Sequence, residues 1–218
     1  MTIKCGAIRV NSILTALLGL AVAFAGAVSV QAACPPGLPP GVSCGGKDIA
    51  PAMAGTYALD PNHAAVVARV SHIGYSFSVF RFDKVAGTLS WDPVAAAASK
   101  LSVTVETGSI DTNVPGFAAQ LSGDNFLKSK AFPEATFVST VFRPTDATHG
   151  AVDGDFTLMG KTHPLTFDVE LIGAGKGFGA PRLGVEARTR ITPGDYGLPP
   201  MFVDPIELVV DAEFARKP

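Results

Sequence analysis

From Thr56 onward the chain alternates apolar and polar residues with a period of two. Leu101, Val103 and Val105 face one way, and Ser102, Thr104 and Glu106 face the other. The same period returns at Val152, Phe156 and Leu158, at Leu165, Phe167, Val169 and Leu171, and at Val185, Ala187 and Ile191. It closes with Ile206, Leu208, Val210, Ala212 and Phe214 against Glu207, Asp211 and Glu213. Strands with one wet and one dry face belong to antiparallel sheets. Adding 63–72, 76–91 and 136–143 predicts about eight strands. Turn signals divide them at Asp92-Pro93, at Arg143-Pro144-Thr145-Asp146, at Gly160-Lys161-Thr162-His163-Pro164 and across Gly173–Gly177. Helical signal is confined to 116–128, just after Pro115, and to 93–100. A sheet closed on itself satisfies so many half-wet strands without leaving edges, so the pattern predicts an all-β, eight-stranded antiparallel up-and-down barrel. A short helix is expected in a connecting segment. At eight strands such a barrel either fills its interior or holds one small ligand.

The first residues follow different rules. Lys4 and Arg9 precede an apolar run of about 16 residues from Ile13 to Val28, short of the roughly 20 needed to span a bilayer. Val30-Gln31-Ala32 then offers small or aliphatic residues at a cleavage site, so 1–32 reads as a secretory signal peptide cut near Ala32–Ala33. Residues 33–55 are rich in Pro and Gly and read as a tether before the domain at 56–218. Cleavage would leave 15 basic against 19 acidic residues, a formal net charge of −4. That balance gives no footprint for nucleic acid. It would also leave two cysteines, Cys34 and Cys44, whose pairing in an exported chain favours a disulfide. Lipidation at Cys34 is the competing reading, weakened by Gln31 where a lipobox usually carries Leu.

Candidate chemistry is sparse. His63 and His72 lie nine residues apart on one expected strand, with no i, i+4 partner. His72 follows Val66, Ala68 and Val70 in register, so it is expected to point inward, either as a core imidazole or as a polar anchor for a ligand. His149 and His163 sit in turns, where exposure is the default. No Gly-x-Ser-x-Gly elbow is present, and Asp168, Glu170 and Glu207 alternate to the outer face. A metal-dependent or hydrolytic centre would need His63, His72 and Asp60 to converge. Fourteen phenylalanines against one tryptophan and three tyrosines tilt the chain toward purely apolar contacts. Phe82, Phe137, Phe156 and Phe167 fall in strands; Phe117, Phe126 and Phe132 fall in the long connection. Periodicity leaves a filled core and a ligand cavity equally open.

Several runs, taken in order, carry a resemblance. Tyr57-Ala58-Leu59-Asp60-Pro61-Asn62-His63 is followed by Val70-Ser71-His72-Ile73-Gly74, by Phe82 and Gly87-Thr88-Leu89, and by Gly108-Ser109-Ile110-Asp111-Thr112-Asn113. Then come Leu121-x-x-Asp124-x-Phe126 and Phe132-Pro133-x-x-Thr136-Phe137-x-Ser139. Gly154-Asp155-Phe156-Thr157-Leu158-x-Gly160-Lys161-Thr162-x-Pro164 and Ile191-x-x-x-Asp195-Tyr196-Gly197 complete the series. From about Thr56 to Phe214 this resembles the YceI-like family. Ala64 and Pro193 depart from its usual Ser and Arg. The resemblance implies a lipocalin-like barrel, exported to the periplasm, that binds a long-chain isoprenoid or quinone-type lipid, with no catalytic residues and no cofactor or metal. On that reading Val70, Phe82, Phe137, Phe156 and Phe167 line a tunnel, His72 is its polar anchor, and Phe126 and Phe132 cap or border it. The expected partner is the lipid alone, with no stable membrane span after cleavage, in a monomer or homodimer. A filled-core module that binds a protein partner is the alternative.

Overall fold

The structure, a computed structural model, describes residues 34–218. The expected signal peptide lies outside the described residues. Ten strands run in the order β1 (Gly55–His72), β2 (Ser76–Phe82), β3 (Val85–Trp91), β4 (Lys100–Glu106), β5 (Ile110–Asp111), β6 (Glu134–Pro144), β7 (His149–Leu158), β8 (Lys161–Gly175), β9 (Arg182–Ile191) and β10 (Ile206–Arg216). Every pairing is antiparallel. Eight of them close a ring, β1-β3-β4-β6-β7-β8-β9-β10, which returns to β1 through the pairing of β10 with β1. Two short helices, α1 (Phe117–Leu121) and α2 (Pro193–Tyr196), lie in connections. The expected helical stretch 116–128 thus reduces to five residues, and 93–100 to a single 3-10 turn at Ala96–Ala98.

The expected single strand 76–91 is two strands, and the reason is nonlocal. β1 bulges between Leu59 and Ala64, around Pro61, so its two halves aim differently. Its first residues pair with β3 and its last seven with β2. The break at Asp83-Lys84 is held by Ser109, whose carbonyl accepts from the Asp83 amide at 3.3 Å and whose Oγ accepts from the Lys84 amide at 3.1 Å. β2 and β5 therefore branch from the ring at β1, with Phe80 and Ile110 buried in the core and Phe82 turned to the interior.

The tether is not all free of the core. The Gly46 amide donates to the Ala174 carbonyl on β8 and the Gly46 carbonyl accepts from the Ala174 amide, both at 2.9 Å. Gly45 packs so close to Gly173 that a Cβ there would meet backbone at 3.2 Å, so a side chain would require the facing strand to shift. Ala52 is buried, and its carbonyl accepts the indole N–H of Trp91 at 2.9 Å. The Tyr57 hydroxyl donates to the Met53 carbonyl at 2.7 Å, which satisfies the one polar atom of a wholly buried ring. Cys34 and Cys44 stand with Cα atoms 5.8 Å apart, a separation a disulfide spans.

Candidate functional site

Inward positions of the eight ring strands surround a cavity of about 430 Å³, within the range of small-molecule sites. The interior is therefore hollow, which decides between the two states left open by periodicity. Room for its aromatic wall comes from Gly154 on β7. A Cβ there would lie 2.5 Å from the Phe137 ring, so only glycine lets that ring cross the neighbouring strand. Phe137 then meets Phe167 edge to face, with centroids 5.0 Å apart. Val185, Leu208, Val210 and Ala212 complete the opposite wall. Below the rim the only polar lining residues among those described are Thr107 and Thr136.

One end of the cavity is closed by the connection between β5 and β6. α1 turns there, and the chain folds back so that the Leu127 amide donates to the Leu121 carbonyl at 3.0 Å and the Ser129 amide to the Ser122 carbonyl at 2.9 Å. Leu121 and Leu127 are buried by this clasp. Thr107, at the end of β4, locks it: its amide donates to the Pro133 carbonyl and its hydroxyl to the Phe132 carbonyl, each at 2.8 Å. α2 adds the buried Tyr196, whose ring stands edge-on to Phe156 at 5.3 Å and whose phenol is pushed up by burial. The other end is open. Its rim is built by the β6–β7 hairpin, which contributes Arg143, Asp146, Thr148 and His149, and by Ile49, Trp91, Pro93 and Ala96.

Of the residues singled out from sequence, Phe82, Phe137, Phe156 and Phe167 line the cavity. Val70, Phe126 and Phe132 do not reach it; they are half-buried against the core outside its wall. Phe126 packs on Phe202 with centroids 6.0 Å apart, and Phe132 covers Gly160 at the β7–β8 turn. Their place is the outer layer of the closed end. His72 is corrected outright: it is exposed, at the tip of the β1–β2 hairpin. Alternation placed it on the right face of β1, but the last pair between β1 and β10 is Arg69 with Glu207. Beyond that point the face no longer looks into the barrel.

The convergence needed for a metal or hydrolytic centre also fails. His63 Nδ1 does stand 3.0 Å from Asp60 Oδ2, and Glu213 joins them within 4.8 Å. His72 sits nine residues further along β1, up to roughly 30 Å away. Arg182 already bridges Asp60, at 3.0 Å, and Glu213. Its guanidinium, with His63 adding to it, holds the Asp60 carboxyl down at about 2. The group is an ion-pair cluster on the outer wall, near the open end.

The residues that sequence reasoning passed over are those of the rim. His149 is exposed, as its turn context suggests, yet it borders the mouth. A signal was present in Asp146-x-Thr148-His149, an Asx turn whose carboxylate collects the following amides. Asp146 Oδ1 accepts from the Thr148 amide at 2.7 Å and the His149 amide at 2.8 Å. Those bonds, led by the one from Thr148, hold its carboxyl at about 2.

Known proteins share this architecture. A UPF0312 protein of Pseudomonas putida is 38% identical over 150 residues, covering 67% of this chain and 78% of that protein. The crystal structure of Burkholderia cenocepacia BcnA superposes with a TM-score of 0.62 at 21% identity, over 73% of this chain and 99% of BcnA. A polyisoprenoid binding domain from Saccharophagus degradans superposes with a TM-score of 0.52 at 17% identity, over 74% and 98% of the two chains. The family model described as the YceI-like domain matches residues 57–214. With its closed eight-stranded barrel and that match, the chain belongs to the YceI-like family.

Proposed function

We propose that the protein is a non-enzymatic carrier that sequesters a long-chain isoprenoid-type lipid in its barrel. The observation that carries this reading is a cavity of about 430 Å³ whose wall, below the rim, bears no charged side chain among the described residues. Burial alone rewards an apolar chain there: each CH₂ removed from water contributes about 0.8 kcal/mol, so ten contribute on the order of 8 kcal/mol before lost chain freedom is subtracted. Among the described residues the same wall offers no base to activate its two threonine hydroxyls, which argues against a reaction centre. The fold it shares with a polyisoprenoid binding domain supports the ligand class. The reading places the protein in the periplasm after removal of residues 1–32, with Cys34 and Cys44 joined in its oxidising environment.

Replacing Ala187, which lines the cavity, with Phe tests the reading by filling the space. Organic extraction and mass spectrometry should find an isoprenoid-type lipid on the parent and little on Ala187→Phe, with the thermal midpoint of the variant showing that it folds. A parent that carries no lipid even after loading would instead support a protein-interaction module.

A further inference from the structure

The rim of the cavity has the chemistry to choose a headgroup. Its cations are already committed. Arg143 donates through Nε and NH2 to the two oxygens of Asp153, at 2.6 and 2.5 Å, and Asp153 also takes the Thr166 hydroxyl at 2.7 Å. Asp153 sits opposite Val141 on the outer wall, so Arg143 is drawn away from the mouth. Lys47, beside the tether's Ile49, spends its ammonium on Glu170 at 2.6 Å and on the Leu171 carbonyl at 2.7 Å. At the closed end neither Lys128, Lys130 nor Lys161 lines the cavity.

What the rim does present is an anion and an imidazole. Asp146 is fixed by its own turn and stays ionised across the neutral range. His149 Nδ1 stands 3.1 Å from both oxygens of Asp146. With the Thr148 hydroxyl 3.0 Å from the same nitrogen, Nδ1 is occupied and Nε2 is the nitrogen of this rim imidazole open to a ligand. A diphosphate or carboxylate head would meet the Asp146 carboxylate with Arg143 and Lys47 already paired elsewhere, and like charges repel. A hydroxyl head meets no such penalty, and it can either donate to Nε2 or accept from it.

Resting on the lipid-carrier reading, we infer that the mouth admits an apolar chain ending in an uncharged, hydroxyl-bearing head, such as a prenol or a reduced quinol, and discriminates against the corresponding diphosphate. The recognition is made by Asp146 and His149, and Asp153 enforces it by holding Arg143 off the mouth.

Titration of Trp91 fluorescence with geranylgeraniol and with geranylgeranyl diphosphate, below their aggregation limits and in EDTA at low salt, tests this. Trp91 is the single tryptophan of the chain and lines the mouth. The alcohol should bind at least tenfold more tightly. In the double variant Asp146→Asn with Asp153→Asn, the turn acceptor is kept, the anion is removed and Arg143 is released. The gap should then shrink several-fold, chiefly through tighter diphosphate binding. Equal or tighter diphosphate binding by the parent overturns the inference and leaves the lipid-carrier reading standing. A parental preference that survives unchanged in the double variant overturns the assignment to these residues. Failure of both probes to bind takes down the carrier reading itself.

Discussion

The two ends of the barrel are held together by different physics. At the closed end, Leu121, Leu127 and Tyr196 are buried, and the clasp is pinned by the two short bonds of Thr107. At the open end the tether buries Ala52 and Tyr57, while the outer wall and the β6–β7 hairpin are tied by charge: Arg182 with Asp60 and Glu213, Arg143 with Asp153, Lys47 with Glu170. The pairs of Lys47 and Arg143 are largely exposed, and exposed pairs contribute little to stability. The contrast suits a container. A floor made by burial stays shut, while a hairpin rim made of solvated polar contacts opens at low cost.

The largest effect separating the ends should come from Leu121→Ala. It removes a side chain that is 4% exposed and should cost about 2–5 kcal/mol in urea unfolding. A cost below about 1 kcal/mol would mean that the clasp is not the floor described. Thr107→Val keeps the shape of a residue 1% exposed but leaves the Phe132 carbonyl without its hydroxyl donor. About 1–2 kcal/mol is expected, with faster amide exchange across 117–133 and none at the mouth.

Acid should act on the opposite end. The carboxyls of Asp60, Asp146 and Asp153 are all held at about 2, against an ordinary 3.8, by Arg182, by the Thr148 amide and by Arg143 respectively. The unfolded chain therefore binds more protons between these values. Their contribution to stability is complete above about pH 4 and is lost as the pH falls toward 2. Hydrogen exchange followed from pH 5 to pH 2.5 should show 55–63 and 143–151 losing protection before 117–133; the reverse order would break the comparison. The smallest effect is that of Asp146→Ala, which deletes the acceptor of the rim turn. The unfolding midpoint should scarcely move, while the amides of Thr148 and His149 exchange measurably faster.

These differences also show how much of the molecule could be read from residues alone. The alternation of β8, with Leu165, Phe167, Val169 and Leu171, states its face without ambiguity, and the clasp announced itself by the crowding of Phe126, Phe132 and Phe137. Alternation reports which face a side chain takes. It does not report where along a strand the barrel begins and ends. That is why His72 was expected inside: β1 overruns the ring by several residues, and only its register with β10 reveals it. The break at Asp83-Lys84 depends on Ser109, 25 residues away for the Lys84 bond. The rim needs β4 paired between β3 and β6 to bring the β6–β7 hairpin near Trp91 and Pro93, about 50 residues earlier in the chain. A local Asx turn gave Asp146 its conformation, but no local signal told what it faces.

The central claim is that one apolar chain lies in the barrel with its head at the charged mouth and its tail against the clasp. Quenching of Trp91 by prenyl alcohols carrying a single bromine, placed next to the head or at the far end of the chain, measures this directly. The head-proximal bromine should quench strongly and the terminal one weakly. Equal quenching, or stronger quenching by the terminal bromine, would contradict the account.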